Sequence, residues 1–600
     1  MRVLRYMTRV LAVLVCLAVA LQCMAGCGLA FVASNLPDEE LPRITAEPLA
    51  ETTKEEVGTT AEPPTESSRE PETAIGTEAP APPEEEAAPK YHIGHPELTY
   101  SFDSEQEKKL LASMEELEKM VEGETAEAEE FLAFYESVET DMFALRTQNQ
   151  LAYVETFLYK TDEAVSADYL YVSELFHALL QRFVRLYRSI EDSVYGEAFY
   201  ADWSEEEKTE TLASADIYDA ECAALQIRLD AIEQEQRLLS ETEYEAKSEE
   251  LYREMLTVGS DLAKKLGYGG YVEYAYDALY GRDYTPSDVG RILTYAREAF
   301  PQILTDAVSD LGEIKLTRED TATLYAILHE SFESDFGRTI LDNYYQTLGG
   351  ELYAEYRSFW ESGYYYVAYD AELSEAGAFT FYLDSEETPA VYFGPGYGDL
   401  FTFVHEFGHY YHYVKCGGEG ELSLDLAETH SQGDEWLFLV YLCETVYPDS
   451  AVADYLRSYY TANSLLSLMI CLMVDEFEQI CYTDGGKTVS GRELDEVYVE
   501  VADAVWSYGE LAALLGYPPE DYWRRVVIES PVYYVSYAVS QLAAMELYAE
   551  ALSDFEAAAG IYTQLQAEEG GFLSVLAAVG LTSPFDEALY TVLSDALSAN

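Results

Sequence analysis

The chain has 600 residues and a formal net charge of −77 at pH 7. The first 33 residues carry +3 and residues 34–90 carry −11, which leaves −69 on the remainder. A surface this acidic repels phosphate backbones, so nucleic acid is excluded as a partner. Beyond residue 33 there are five scattered cysteines, which do not make the framework of a disulfide-stabilised fold.

The first 33 residues are predicted to be an export segment. Arg2, Arg5 and Arg9 precede an uncharged, mostly apolar run of 23 residues, 10–32, which is typical of a secretory signal. Residues 24–27, Met-Ala-Gly-Cys, resemble the bacterial lipoprotein cleavage box, in which Cys27 becomes the lipidated first residue. An uncleaved anchor helix is the alternative, because about 20 apolar residues suffice to span a bilayer. Both interpretations place the protein outside the cytoplasmic membrane and anchored to it.

Residues 34–90 are predicted to be a disordered linker. They hold ten of the chain's 20 prolines and no aromatic residue. Such a segment cannot bury enough apolar surface to offset the entropy lost on ordering. Fully extended, it would span about 170 Å, which suits a spacer between a membrane and a folded domain.

Residues 91–600 are predicted to form one large, mainly α-helical unit, because no second proline-rich linker interrupts them. We expect an N-terminal helical lobe over about 91–265 and a catalytic lobe over about 266–600. Apolar residues recur at spacings of three and four over the ranges 105–121, 170–190 and 220–239, which indicates amphipathic helices. Residues 340–366 and 450–600 are also predicted to be helical.

The helical period breaks between Ala378 and Phe393. Two short apolar runs there, FTFYL and AVYF, are separated by a polar turn and predict strands. We expect these strands to form the only sheet of consequence, with its edge beside the helix that follows. An extended peptide could join such an edge as an extra strand. Val391, Tyr392 and Phe393 are therefore the expected peptide-binding residues.

The most specific chemistry follows directly after these strands. His405 and His409 are four residues apart, so on a helix they lie one turn above each other and could bind one metal ion. Glu406 is rotated by about a quarter of a turn, close enough to act on a water molecule without being a ligand. This H-E-x-x-H pattern predicts a zinc site.

A zinc site needs at least one more protein ligand. Glu428 is the candidate, because it follows a turn and a predicted helix cap at Ser423, within a second apolar-periodic run. Glu435 lies on the same helix face and could orient a ligand histidine through a hydrogen bond. His412 and His430 are expected behind the ligands. The sequence thus predicts one Zn²⁺ per chain, with a coordination position left for water.

These residues carry a resemblance to a known family. HEFGH, followed by Glu428, His430, Ser431 and Glu435 in an E-x-H-S-x-x-x-E frame, resembles the M3 family of zinc metallopeptidases, specifically its oligoendopeptidase F branch. Residues 377–404 are also similar to this branch. The similarity extends more weakly to residues 262–276 and 530–544. The resemblance implies a mainly α, two-lobed peptidase with a deep substrate channel and one small sheet beside the metal helix.

The resemblance also implies two tyrosines, spaced by three, that donate hydrogen bonds to the reaction's oxyanion. Tyr534 and Tyr537 match them, with ordinary packing as the alternative role. The family's preceding histidine is missing, since Val526 stands at its position and no histidine follows His430. The implied function is a zinc-dependent endopeptidase that hydrolyses short peptides, with Glu406 as its proton carrier, and we expect a monomer. A weakly active or inactive peptide-binding protein is the alternative.

Overall fold

The computed structural model describes residues 89–598, except for 125, 417–422, 516–517 and 569. The predicted export segment, and the predicted linker up to residue 88, lie outside the described residues. Among the described helices, none combines the length and the apolar character needed to cross a membrane.

The described chain is 73% helical and has one small sheet of four strands. The prediction of a mainly α fold is therefore confirmed. In chain order the α-helices are α1 Ser104–Gly123, α2 Ala128–Leu158, α3 Glu163–Glu191, α4 Gly196–Phe199, α5 Glu205–Ile217, α6 Ala220–Arg237, α7 Glu241–Lys265, α8 Tyr271–Tyr274, α9 Pro286–Ala299, α10 Pro301–Glu313, α11 Arg318–His329, α12 Asp335–Leu348, α13 Gly350–Ser362, α14 Leu400–Cys416, α15 Leu424–Tyr441, α16 Ala451–Tyr482, α17 Leu494–Val505, α18 Tyr508–Leu515, α19 Trp523–Glu529, α20 Val535–Ser553, α21 Phe555–Leu565, α22 Phe572–Val579 and α23 Glu587–Leu597.

The three amphipathic helices predicted from the N-terminal periodicity coincide with α1, α3 and α6. Local capping starts α1, because the Asp103 carboxylate accepts hydrogen bonds from the backbone N–H groups of Glu105 and Gln106. The division into two lobes near residue 265 stays a prediction. Helix α7, which ends there, is tied to the C-terminal part, since Arg253 donates to the Val489 carbonyl at 3.1 Å.

The sheet consists of β1 Tyr91–Ile93, β2 Tyr365–Ala368, β3 Ala378–Leu383 and β4 Thr388–Phe393. Its strand order is β1-β2-β4-β3. Strand β2 pairs with β4 in parallel, and the other two pairings are antiparallel. The two predicted strands correspond to β3 and β4, whereas β1 and β2 were not predicted.

The prediction of helix over residues 340–366 is wrong at its end. Glycines with positive φ interrupt the helical conformation, at Gly349 and Gly350 between α12 and α13 and at Gly363 after α13. A residue in the left-handed region ends a helix, and glycine adopts it without steric cost. Tyr365 and Tyr366 consequently belong to β2 rather than to a helix.

Val391, Tyr392 and Phe393 lie in an internal strand. Their strand, β4, is paired with β2 on one side and with β3 on the other, and all three side chains are buried. Their backbone therefore has no free edge to which a peptide strand could bind, contrary to expectation. The outer strands of the described sheet are β1 and β3.

Strand β3 is the strand that meets the helix of the H-E-x-x-H motif. Successive side chains of β3 face opposite sides of the sheet, as the pleat requires. Thr380 and Tyr382 face α14, where the Tyr382 ring lies 5.7 Å from that of Tyr413. Phe379 faces α2, with its ring 4.9 Å from that of Phe157. The sheet thus lies between α2 and α14 and fixes the position of α14.

Candidate metal centre

The three predicted ligand residues converge in the structure. His405 and His409 are on α14, and Glu428 is on α15. The two histidine Nε2 atoms are 3.3 Å apart. Oε2 of Glu428 lies 3.6 Å from Nε2 of His405 and 3.8 Å from Nε2 of His409. All three side chains are buried.

These atoms fit a small divalent metal ion. A tetrahedral zinc ion with bonds of 2.0–2.1 Å holds its ligand atoms about 3.3 Å from one another. The observed triangle has edges of 3.3, 3.6 and 3.8 Å, so shifts of a few tenths of an ångström would complete it. Two imidazole nitrogens and one carboxylate oxygen are also the donor set of catalytic zinc sites.

Gly408 allows the two ligand helices to approach this closely. A Cβ atom at residue 408 would lie 2.8 Å from Cα of Ser431 and 3.0 Å from the carbonyl oxygen of His430. Both are backbone atoms of α15, so the overlap could be relieved only by moving the helix. The glycine of HEFGH therefore brings His405 and His409 within reach of Glu428.

Glu435 orients the first histidine. Its Oε1 is 2.5 Å from Nδ1 of His405, and its Oε2 accepts a hydrogen bond from the Tyr460 hydroxyl. A hydrogen bond donated from Nδ1 leaves the Nε2 lone pair available for a metal ion. The expected contact of Glu435 is thus present, and Tyr460 of α16 is an additional partner that the sequence analysis missed.

Glu406 lies beside the ligands and is fully buried. Its Oε2 accepts a hydrogen bond of 2.7 Å from the Thr380 hydroxyl of β3. Its Oε1 has no hydrogen-bond partner among the described residues. Burial raises the pKa of Glu406 to about 8, and positive charge placed at the nearby His405 would lower it. One oxygen is therefore anchored, and the other is available to exchange a proton.

The helix that carries these groups is capped by Asp399. Its Oδ1 accepts from the backbone N–H groups of Phe401 and Thr402, at 2.9 and 3.1 Å, and its Oδ2 accepts from the Thr402 hydroxyl at 2.7 Å. A carboxylate at this position satisfies free backbone donors and interacts favourably with the helix dipole. Asp399 thus fixes where α14 begins.

Comparison with known proteins supports the resemblance at the level of the fold. No protein-family model and no curated protein matches the sequence. PZ peptidase A, solved with an inhibitor, superimposes with a TM-score of 0.63 at 17% identity, over 84% of this chain and 99% of that chain. A protein of Bacillus anthracis str. Ames described as an oligoendopeptidase F gives a TM-score of 0.60 at 16% identity, over 85% of this chain and 98% of that one.

A further structure described as an oligoendopeptidase F gives a TM-score of 0.59 at 18% identity, over 82% of this chain and 96% of that one. The chain has the fold of these peptidases. Because the coverage of all three is nearly complete, the shared fold extends across both the N-terminal helices and the helices of the candidate metal centre.

Within this peptidase fold, His412 and His430 pack against each other. Their rings stack with centroids 4.5 Å apart, and Nε2 of His430 lies 3.3 Å from the Leu565 carbonyl oxygen. Burial lowers the pKa of His412 to about 4, so the ring is neutral at pH 7. In the described part of the chain neither ring hydrogen-bonds to His405, His409 or Glu428, so these two histidines pack behind the ligands without orienting them.

Tyr534 and Tyr537 belong to a cluster of three tyrosine rings at the start of α20. The third member is Tyr533, which the sequence analysis did not single out. Its ring centroid lies 5.1 Å from that of Tyr537, and those of Tyr534 and Tyr537 are 5.4 Å apart. The Tyr533 hydroxyl donates to Oε1 of Glu428. The structure therefore brings the tyrosine segment to the metal centre, where Tyr533 contacts the ligand residue Glu428.

The position of the family's missing histidine is filled by an apolar side chain. Val526 lies on α19 and is 3% exposed. The only signal for Tyr533 in the sequence is that it is the first member of the Tyr-Tyr pair, next to the residue that matched the family spacing.

Proposed function

We propose that this protein is a zinc-dependent endopeptidase that hydrolyses short peptides. The observation that supports this most is the buried convergence of His405, His409 and Glu428 beside Glu406, in a fold shared with peptidases. The geometry favours catalysis over binding alone, because Glu406 is held by Thr380 with its second oxygen left for a proton.

Zinc held by His405, His409 and Glu428 would supply Lewis acidity, which acidifies a water molecule and polarises a peptide carbonyl. Glu406 serves as the general base, since it is adjacent to the ligands and its Oε1 accepts no hydrogen bond from the described residues. The same carboxyl group then returns the proton to the leaving amine. A single residue thus carries the proton between the two halves of the reaction.

Tyr534 and Tyr537 are the proposed donors to the oxyanion. Removing one oxyanion donor typically costs about 2.7–4 kcal/mol of transition-state stabilisation. Tyr537→Phe and Tyr534→Phe, tested separately, should show which hydroxyl donates, through a fall in kcat with little change in KM. If neither variant loses activity while zinc remains bound, the tyrosines have only a packing role.

The direct test is to incubate the folded domain with a mixture of short peptides, with and without a zinc chelator, and to identify the products by mass spectrometry. Internal cuts that disappear with chelator and return with added zinc would support the proposal. Removal of residues only from peptide ends would instead indicate an exopeptidase. Peptides that bind but stay intact would favour the peptide-binding alternative, as the absent histidine allows.

We further propose that the enzyme acts outside the cytoplasmic membrane as a lipid-anchored monomer. The support is the sequence of the first 33 residues and the fact that one chain supplies every group of the site. In a bacterial host, wild-type protein should incorporate labelled fatty acid and sediment with membranes. Cys27→Ala should lose the label; continued labelling would contradict lipidation at this residue.

A further inference from the structure

The turn that precedes α20 contains a strained residue. Val532 has a φ of 63° and is the only β-branched residue with positive φ in the described chain. Such a conformation is a genuine outlier for a β-branched side chain. Strained backbone persists only where the surroundings hold it, and it is concentrated at functional sites.

Buried side chains hydrogen-bond both backbone polar groups of Val532, its N–H and its carbonyl oxygen. The Glu478 carboxylate accepts the Val532 N–H at 2.8 Å. Nη2 of Arg282 donates to the carbonyl oxygens of Val532 and Tyr533, at 2.9 and 3.2 Å, and to Oγ of Ser536 at 2.9 Å. Two residues distant in the sequence, Glu478 and Arg282, therefore hold the conformation of Val532.

A further hydrogen bond extends this support to the start of the turn. The Tyr280 hydroxyl donates to the carbonyl oxygen of Pro531 at 2.6 Å, and the Tyr280 ring lies 5.5 Å from the ring of Tyr533. Arg282 also faces Asp425 of α15, with its Nε 3.7 Å from Oδ1. The turn is thereby tied to the first turn of the helix that carries Glu428.

The strained turn directs Tyr533 at Glu428. The Tyr533 hydroxyl donates to Oε1 of Glu428, while Oε2 faces the two histidines and lies 3.2 Å from Oγ of Ser431. A carboxylate has two equivalent oxygens and can bind a metal through either one or both. Both oxygens of Glu428 thus accept a hydrogen bond from the protein, Oε1 from Tyr533 and Oε2 from Ser431, and it is Oε2 that also faces the two histidines.

We propose that Tyr533 is a positioning residue that fixes which oxygen of Glu428 binds the metal, and that Arg282 acts through Tyr533 by holding the strained turn. This inference rests on the proposed zinc site. It concerns affinity for the ion rather than the chemistry of peptide cleavage, so it can be tested without any substrate.

The first test measures zinc affinity of the metal-free protein by competition with a chromophoric chelator. Tyr533→Phe keeps the ring and removes only the hydroxyl, and we expect zinc to bind about 10- to 100-fold more weakly, as for other residues that support metal ligands. Tyr153→Phe is the matched control, because it removes a buried tyrosine hydroxyl that donates to Glu233 at 3.1 Å in the N-terminal helices. It should bind zinc like wild type.

The second test asks whether Arg282 acts through Tyr533. Arg282→Lys keeps the positive charge but cannot bridge two carbonyl oxygens and a hydroxyl with one planar group. It should weaken zinc binding in the wild-type background and add little in the Tyr533→Phe background. If Arg282→Lys does not fold, Tyr280→Phe takes its place in the same double-mutant cycle, since it keeps the ring and removes the hydrogen bond to Pro531.

The outcomes separate the two claims. Wild-type protein that binds no zinc would overturn the proposed function and this inference together. Zinc binding in wild type with unchanged affinity in Tyr533→Phe would overturn only the role of Tyr533. Losses that simply add in the double variant would overturn the coupling between Arg282 and Tyr533.

Discussion

At the scale of single residues, hydrogen bonds within the protein determine which atoms of the candidate site can bind a metal ion or a proton. Glu435 takes up Nδ1 of His405, which leaves Nε2 for a metal ion. Thr380 takes up one oxygen of Glu406, which leaves the other for a proton. The candidate ligand atoms of His405, His409 and Glu428 lie within 4.8 Å of one another, so these hydrogen bonds leave the metal-binding atoms grouped together.

Glu406→Gln tests the division between binding and proton transfer. An amide still accepts the Thr380 hydrogen bond through its oxygen but cannot take up a proton. Zinc content and peptide affinity should stay close to wild type while turnover falls by about 100-fold or more. Metal analysis, peptide binding and initial rates on the same preparation would check this; normal turnover would remove Glu406 from the mechanism.

Thr380→Val tests whether the sheet positions the base. Valine keeps the shape of threonine but loses the hydroxyl, and a hydrogen bond to a charged group contributes about 1.5–3 kcal/mol. We expect kcat to fall by about 10- to 100-fold with zinc content unchanged. Thr211→Val is the control, because Thr211 is buried and its hydroxyl has no partner among the described residues. Equal rates in the two variants would contradict the positioning role.

The sequence allowed the ligands and the orienting residue Glu435 to be predicted, but not Thr380, Tyr460 or Tyr533, which also hold the site residues. His405, His409 and Glu428 follow from helical spacing and a returning carboxylate. The supporting contacts join residues with no periodic relation: 26 positions separate Thr380 from Glu406, and 105 separate Tyr533 from Glu428. Such partners are determined by tertiary packing, which a local pattern does not encode.

At the scale of elements, strands were predictable where they were long enough to break the helical period. Strands β3 and β4 have six residues each, whereas β1 has three and β2 has four. The pairing of β1 with β2 joins chain segments more than 270 positions apart, so the sequence contains no hairpin turn that would predict it. The sequence therefore predicted a free edge at β4, whereas the outer strands of the described sheet are β1 and β3.

Gly408→Ala tests the approach of α14 to α15. The added Cβ would overlap backbone atoms of Ser431 and His430, and such overpacking typically costs about 1–3 kcal/mol. The helices should separate, so we expect lower stability and weaker zinc binding. Gly560→Ala in α21 is the control, because a Cβ there meets nothing within 4 Å and alanine favours helix by about 1 kcal/mol. Thermal unfolding and chelator competition would measure both effects.

Should Gly408→Ala be as stable as wild type and bind zinc equally, close helix contact would not be required for the site. A fall in stability with unchanged zinc affinity would show that the two ligand helices can move apart and still reach the ion.

At the scale of the whole molecule, the balance of 112 acidic against 35 basic residues dominates the electrostatics. Most of the acidic residues in the described part of the chain are exposed, where salt screens their mutual repulsion. A minority are buried, and for these the loss of hydration favours the protonated form. Lowering the pH therefore relieves surface repulsion and also stabilises the buried acids, until the carboxylates held by hydrogen bonds are protonated.

Glu139 of α2 allows the effect of buried acids on the pH dependence of stability to be measured apart from the effect of surface acids. Its side chain is 2% exposed, and burial, assisted by repulsion from Glu136, raises its pKa to about 8 from a usual value of 4.5. Between these values the folded state keeps the proton and the unfolded state releases it. The stability that Glu139 contributes is thus fully present below about pH 4.5 and is lost as the pH rises towards 8.

Glu139→Gln should remove this dependence, since the amide is neutral at every pH. Between pH 5 and 8 the free energy of unfolding of wild type should fall more steeply than that of the variant, by up to about 1.4 kcal/mol per pH unit. Glu130→Gln is the control, because Glu130 is exposed on the same helix. It replaces a glutamate by glutamine at the surface and should leave the wild-type slope in place. Urea unfolding at several pH values would compare the three proteins, and parallel slopes for all of them would show that Glu139 is ionised in the folded state.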